Sequence, residues 1–442
     1  MCLRDGLRFV LLSLAALVSV LAAAVAAALA TLAPGTATWT VPLTMTVLGH
    51  TWQRRVSGPV LLRIASHPLA APLINGRHID TAHGRWRLTA TSSAGWVATC
   101  APCQIAMGAL GPAPLALERV ELHVRADGAD HYRGSVKLGA VPHALVLTWR
   151  GHVDRSGSLQ LDASLPPSPL QDAVRVFGSA LPERGSVQVD GSLALSLSGR
   201  LPAGPWRVQP RLDGFAVHGL GTERLLDLQL PAACREGRKL DVPVATGWLP
   251  RAVVAAEDQR FFEHPGYDLA ALTDTLQHNQ QAGAVLGGAS TLTQQLAKRL
   301  FTGDDRSAAR KLRELLYAVE MERTLGKPRI LQLYLALAPW GQGVCGAERA
   351  ARVHLGLRDA AATGPVAAAW LASLLPQPDA LLSAEQQRGQ VDVERVARVI
   401  RALRPMSVER REAALAALAS WAPPTLGPHA ASVAPPRPIA TP

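Results

Sequence analysis

Glu257-Asp258-Gln259-Arg260-Phe261-Phe262-Glu263-His264-Pro265-Gly266, Gly287-Gly288-Ala289-Ser290-Thr291-Leu292-Thr293-Gln294-Gln295-Leu296-Ala297-Lys298, Arg310-Lys311-Leu312-Arg313-Glu314 and Lys327-Pro328-Arg329-Ile330-Leu331-Gln332-Leu333-Tyr334-Leu335 follow one another in that order. They gather carboxylates, amides and cations in a chain otherwise rich in Ala, Leu and Val. Glu257 precedes an aromatic pair, Phe261 and Phe262, whose shielding would raise its pKa toward acid or base work. Glu314 stands one helical turn after Arg310, where neighbouring cations would keep it ionised. Two carboxylates in different surroundings suit chemistry at a sugar's anomeric carbon. Lys298, Arg310, Lys311 and Arg313 would clamp an anionic leaving group such as pyrophosphate. Taken singly, each block has a plainer explanation, because an Arg-Lys-x-x-Glu run is usually a salt-bridged helix face.

In this order the blocks are specific. They resemble the peptidoglycan glycosyltransferases of family 51, the polymerising domain of class A penicillin-binding proteins and of monofunctional transglycosylases. The first motif, E-D-x-x-F-x-x-H-x-G, is met by Glu257, Asp258, Phe261, His264 and Gly266. The second, G-x-S-T-x-T-Q-Q-x-x-K, is met by Gly288, Ser290, Thr291, Thr293, Gln294, Gln295 and Lys298. Arg310, Lys311 and Glu314 meet R-K-x-x-E, and Lys327, Ile330, Leu331, Tyr334 and Leu335 meet the fourth motif. Arg299 and Ala336 stand where the family has Asn, and His354-Leu355 replaces a Tyr-Phe pair. The carboxylates and cations are untouched by these departures.

The resemblance implies a lysozyme-like helical domain that polymerises lipid II with inversion and releases undecaprenyl pyrophosphate. It implies Glu257 as the general base and Glu314 as the second catalytic carboxylate. Asp258, Phe261, His264, Gly266, Ser290, Thr291, Gln294, Gln295, Lys298, Arg310 and Lys311 would bind substrate. A divalent cation, Mg or Mn, is the candidate cofactor, and no organic cofactor is implied. Partners would be lipid II, the growing glycan strand, inner-membrane lipid and other cell-wall synthesis proteins. Two rival readings share these residues: a non-catalytic lipid II-binding scaffold and a lysozyme-like muramidase. The segment Leu269 to Leu286 would cover the substrate at the membrane side. No S-x-x-K, S-x-N or K-T-G motif follows Leu382, so a transpeptidase domain is not expected.

Outward from this region, the chain reads as a multidomain α+β protein. Arg4 and Arg8 precede an uncharged apolar run, Phe9 to Ala33, long enough to cross a bilayer as a helix. The flanking arginines place the remainder on the outer side of a bacterial cytoplasmic membrane. Residues 1–36 are therefore the expected anchor. Residues 37–235 alternate apolar and polar, as in Val120 to Arg125 and Leu159 to Leu165, and predict an antiparallel β domain. Asp127-Gly128, Ser156-Gly157 and Asp190-Gly191 are its predicted turns, and Pro169 to Phe177 a helical interruption. Residues 236–421 are helical by pattern, and 422–442 form a Pro/Ala-rich tail expected to be disordered.

The net charge of +11 calls for an anionic partner. Outside the cell that partner is a lipid or a phosphorylated substrate, and nucleic acid is not expected. Cys100, Cys103, Cys234 and Cys345 lie where disulfides persist. A local Cys100–Cys103 bridge is favoured, although four cysteines allow three pairings.

Overall fold

The computed structural model describes residues 40–424 apart from 48–49, 68, 70, 82, 92–94, 106–113, 179–180, 203, 232–233, 235–246, 283–288 and 305–306. The run Phe9 to Ala33, Gly287-Gly288 and the tail after residue 424 lie outside the described residues. Among the described residues no helix is long and apolar enough to cross a membrane.

A hairpin of β1 (Thr40–Val47) and β2 (His50–Ser57) leads to two short helices, α1 (Gly58–Ala65) and α2 (Ala71–Ile74). Strands β3 (His78–Thr81), β4 (Gly84–Thr91) and β5 (Gly95–Cys100) follow, then a ribbon of β6 (Cys103–Ile105) and β7 (Leu115–Leu117). Next come β8 (Val120–Ala126), β9 (His131–Leu138), β10 (Leu145–Val153) and β11 (Leu159–Pro169). Helix α3 (Leu170–Phe177) separates them from β12 (Gln188–Leu201) and β13 (Arg207–His218). Nine of these strands form one antiparallel sheet in the order β13-β12-β11-β10-β9-β8-β5-β4-β3.

Period-two alternation gives this sheet one apolar and one polar face. Val120 and Val124 turn inward with Trp149, Val153 and Leu159, while Arg125, Arg133 and Arg150 turn outward. Asp127-Gly128 and Ser156-Gly157 make the expected hairpin turns, with Gly128 and Gly157 at positive φ. Asp190-Gly191 does not. It is a bulge inside β12, where the register with β13 shifts between Asp190 and Ser192. Gly191 sits at φ +97°, and a Cβ there would meet the Asp213 carbonyl oxygen at 2.5 Å. Glycine is therefore required for close strand approach, and the chain bends without reversing.

The helical region opens with α4 (Trp248–Glu257), α5 (Leu269–Ala282) and α6 (Leu292–Ala297), which continues as one π-turn, Lys298–Thr302. Helix α7 (Ala308–Leu337) is broken at Gly326, φ +71°, so two helices run end to end. Then follow α8 (Ala347–Leu355), α9 (Pro365–Leu374), α10 (Pro378–Arg388), α11 (Val393–Ala402) and α12 (Val408–Leu418). Pro365, at the first helical turn, starts α9 without losing a needed hydrogen bond. Its uniformly apolar surface is consumed by α4 and α11 on either side, which is why it reads as a core helix.

The sheet and the helices are not separately cored. Val187, Val189, Val217, Leu220 and Leu225 belong to the same buried cluster as Leu249, Phe261 and Leu316. Glu320, on α7, is buried and accepts from the backbone N–H groups of Leu220 at 2.9 Å and Thr222 at 3.3 Å. It satisfies donors of the preceding chain that burial would otherwise leave unpaired.

Cys100 pairs with Cys103, and Cys234 with Cys345. The first bridge is buried against Leu117, Val120 and Leu145 on the sheet's apolar side. The second closes a loop with a sequence separation of 111 and ties the end of the β region to the start of α8. A cross-link closing a loop of that size lowers the entropy of the unfolded chain, so Cys234→Ser with Cys345→Ser should cost about 2–4 kcal/mol. Thermal unfolding of the double variant beside the oxidised protein measures it. A change within scatter would contradict the loop-entropy account.

Candidate active site

Glu257 is the last residue of α4, and its carboxylate turns into the helical core. Gln295, on α6, donates Nε2–H to Glu257 Oε2 at 2.8 Å, and Tyr334 O–H donates to Gln295 Oε1 at 2.9 Å. That relay fixes the amide's orientation, because Gln295 must offer its nitrogen to Glu257. Glu257 Oε1 is buried with no hydrogen-bond partner. Burial pushes the Glu257 pKa up, Asp258 adds to the rise, and the Gln295 hydrogen bond and the Arg299 charge oppose it. The two members of the aromatic pair are placed differently. Phe262 is 64% exposed, and Phe261 is fully buried with Lys327 Nζ 4.4 Å from its ring centroid.

Arg299, one of the departures from the family pattern, lies over the Tyr334 ring at 4.7 Å. Its Nη1 is buried without a partner. A guanidinium thus stands near Glu257 where the family pattern has a neutral amide, holding that carboxyl closer to its ionised form than burial alone allows.

The second carboxylate has opposite surroundings. Glu314 is 1% exposed and accepts from Arg310 Nη1 on one oxygen, while Lys311 Nζ lies 2.8 Å from the other. A single i, i+4 charge pair in solvent is worth little, but here the pair is desolvated. The expected solvated face of this helix is therefore a buried one. Lys311 Nζ also donates to Ser290 Oγ at 2.6 Å, and Lys298 Nζ pairs with Asp304 at 2.7 Å. Burial, with the charges of Arg310 and Lys298, pushes the Lys311 pKa down to about 8. Ser290 and Gln295 lie on the segment that links the two carboxylates.

The rest of the first two motifs forms the frame. Asp258 and His264 are buried together, with His264 Nε2 2.9 Å from Asp258 Oδ1. The Gly266 N–H donates to His264 Nδ1 at 3.3 Å, so the ring proton sits on Nε2 and is given to Asp258. The same carboxylate accepts the Leu292 N–H at 2.9 Å. Gly266 needs φ +88° and leaves no room for a Cβ, which would lie 2.9 Å from Ala318 O on α7. Thr291 and Gln294 form a reciprocal capping box at the start of α6, and Thr291 Oγ1 donates to Gly266 O at 2.8 Å. Asp258, His264, Gly266, Thr291 and Gln294, all expected to contact substrate, hydrogen-bond one another here, and Phe261 is buried in the core. Thr293 and Lys327 both bond to Glu322, at 2.5 and 2.8 Å.

Arg313 leaves the clamp as well. Its guanidinium pairs with Glu183, from the turn before β12, and Tyr317 O–H donates to the same carboxylate at 3.1 Å. Sequence reading missed Glu183 and Glu320. Glu320 had one local signal, a carboxylate on the inward face of an apolar helix; Glu183 had none, because its partner lies 130 residues away.

Hard divalent cations take several oxygen ligands, and both Glu314 oxygens are committed to cations. Among the described residues no group of three His, Cys, Asp or Glu is placed to hold a metal.

Charge removal at Lys311 gives a direct test of the clamp. Its ammonium is present below pH 8 and lost above it, so the glycosyl-transfer rate should fall as pH rises from 8 to 10. In Lys311→Arg, which keeps its charge throughout this range, the alkaline fall should disappear. A wild-type rate flat to pH 10 would contradict the assignment.

A largely buried carboxylate with a raised pKa, a second carboxylate locked among cations and a mainly helical scaffold suit acid–base and electrostatic chemistry. A transglycosylase family model matches residues 238–404. A biosynthetic peptidoglycan transglycosylase of Nitrosomonas eutropha is 38% identical over 174 residues, covering 39% of this chain and 70% of that protein. One from Azoarcus sp. is 39% identical, covering 37% and 74%; one from Pseudomonas aeruginosa is 47% identical, covering 29% and 54%. The chain belongs to this family of peptidoglycan glycosyltransferases, enzymes of glycan-strand polymerisation whose catalytic part is extracytoplasmic. The residues before 238 fall outside the family match.

Proposed function

We propose that the chain polymerises lipid II with Glu257 as the general base. Glu257 takes the proton of the acceptor sugar's 4-hydroxyl, whose oxygen attacks the donor's anomeric carbon. The new C–O bond forms as the bond to the lipid pyrophosphate breaks on the opposite face, so configuration inverts. The departing electron pair stays on pyrophosphate, whose charge Lys298, Arg310 and Lys311 offset. Glu314 positions those cations. Ser290 and Gln295 hold Lys311 and Glu257 in place. The run Phe9 to Ala33 anchors the chain in the inner membrane, where its substrate resides.

The observation that carries this reading is the contrast between the two carboxylates. Glu257 keeps one oxygen unpaired and a raised pKa, whereas Glu314 is held by Arg310 and Lys311. Opposed environments separate an acid–base group from an electrostatic one. The test is product analysis with lipid II whose anomeric carbon is isotopically labelled. A β-linked strand with one undecaprenyl pyrophosphate released per bond is expected. Retained configuration would rule out direct displacement. Unchanged lipid II bound to the protein would favour a scaffold, and cleavage of preformed strands a muramidase.

A further inference from the structure

The outer face of the nine-stranded sheet has a charge pattern that folding does not account for. Register places Arg125 opposite Arg133, and Arg133 opposite Arg150. Like charges directly across a strand pair are destabilising, yet three guanidiniums stand in one line. The line continues through Asp162 and Ser198 to Arg207, crossing six strands from β8 to β13. Beside it runs a second line of Thr148, Ser164, Ser196 and Gln209, again in direct register. Thr148 and Ser164 share a hydrogen bond at 3.2 Å. The two lines border a concave cavity of about 820 Å³ whose lining includes four arginines and one aspartate. Arg133 has a distant partner in Asp127, at 3.5 Å with both side chains about half exposed, which offsets little.

We propose that this face holds the nascent glycan strand, with the arginines on its peptide carboxylates and the hydroxyl and amide line on its sugars. Several observations favour a glycan over a lipid surface. The face is hollow, where a bilayer would need a flat or convex one. Hydroxyls and an amide offer both donors and acceptors, which a polyol uses and a phosphate layer does not. Val146 is the large apolar side chain exposed there, at the margin, too little for insertion into acyl chains. Adjacent strands lie about 4.8 Å apart, so six span about 24 Å, room for several sugars. The line also ends beside the catalytic unit. The Trp206 N–H, next to Arg207, donates to Gln280 of α5 at 2.8 Å. Further along β13, Phe215 packs on Tyr267, one residue after Gly266.

This inference rests on the polymerase reading for its ligand, but its test requires no turnover. Full-length Glu257→Gln protein is titrated with preformed, uncrosslinked, peptide-bearing glycan strands, with the same strands stripped of peptides, and with phosphatidylglycerol vesicles. Adding Arg133→Ser and Arg150→Ser should weaken strand binding about tenfold or more, without lowering the unfolding temperature. Arg133→Lys with Arg150→Lys should restore most of it. Stripped strands should bind less tightly, and added salt should weaken the intact-strand complex. Equal strand binding with and without the two arginines would overturn the proposal, as would arginine-dependent binding of vesicles in place of strands. If the wild type made no strands while this pattern held, the polymerase reading would fail and the binding face would stand.

Discussion

Glu257→Gln should lower strand synthesis by about 10²–10⁴-fold, the range lost with a positioned general base, while the protein stays as stable or gains stability. The two halves of that result have one cause. Folding buries Glu257 and raises its pKa, so the folded protein binds its proton more tightly than the unfolded chain does. Stability tied to this group is present at acid pH and is lost as pH rises through the raised value. At neutral pH an uncharged amide of the same shape removes that penalty, and its oxygen can accept from Gln295 as the carboxylate does. Activity and thermal unfolding measured on one preparation separate the base from a structural role. A variant that is inactive because it is unfolded would contradict the assignment, and so would one that retains wild-type turnover.

Glu314→Gln should behave in the opposite way. Arg310 would lose its pairing with Glu314 in the interior, and Lys311 would lose the carboxylate 2.8 Å away. Breaking one side of a buried pair costs about 3–5 kcal/mol, so a large drop in unfolding free energy is expected. Turnover should fall as well, by about 10²–10³-fold, because the cations that face the leaving group are no longer held. Denaturant unfolding, read for midpoint and slope, measures the first effect. An unchanged midpoint would show that the cations are stabilised by something other than Glu314.

Local pattern carried much of this molecule. Alternation along Val120 to Arg125 and Leu159 to Leu165 predicts strands that form, and the helical pattern of residues 236–421 predicts the helices that follow. The four polar blocks likewise come together around α6 and α7. What sequence did not reveal depends on partners distant along the chain. Arg313 reads as one more clamp cation until Glu183 arrives from the β region. Asp258 and His264 read as site groups, yet they are buried against each other and against the start of α6. Asp190-Gly191 has a turn's composition and serves as a bulge, a difference decided by how closely β13 approaches. The paired lines on the outer sheet face need register, which single-strand alternation does not supply.

The departures from the family pattern also acquire meaning in three dimensions. Arg299 places a charge near Glu257. His354 is fully buried, where its Nε2 lies 2.9 Å from the Trp340 carbonyl oxygen and burial lowers its pKa. A neutral imidazole donating to that carbonyl fills a core position there.

The most direct test of the central claim is the reaction of purified full-length protein with sugar-labelled lipid II in detergent, its products resolved by length. The account predicts glycan strands, with undecaprenyl pyrophosphate released in step with each new bond and none from Glu257→Gln. Lipid II that stays bound and unconverted by the wild type, or strands formed equally well by Glu257→Gln, would contradict it.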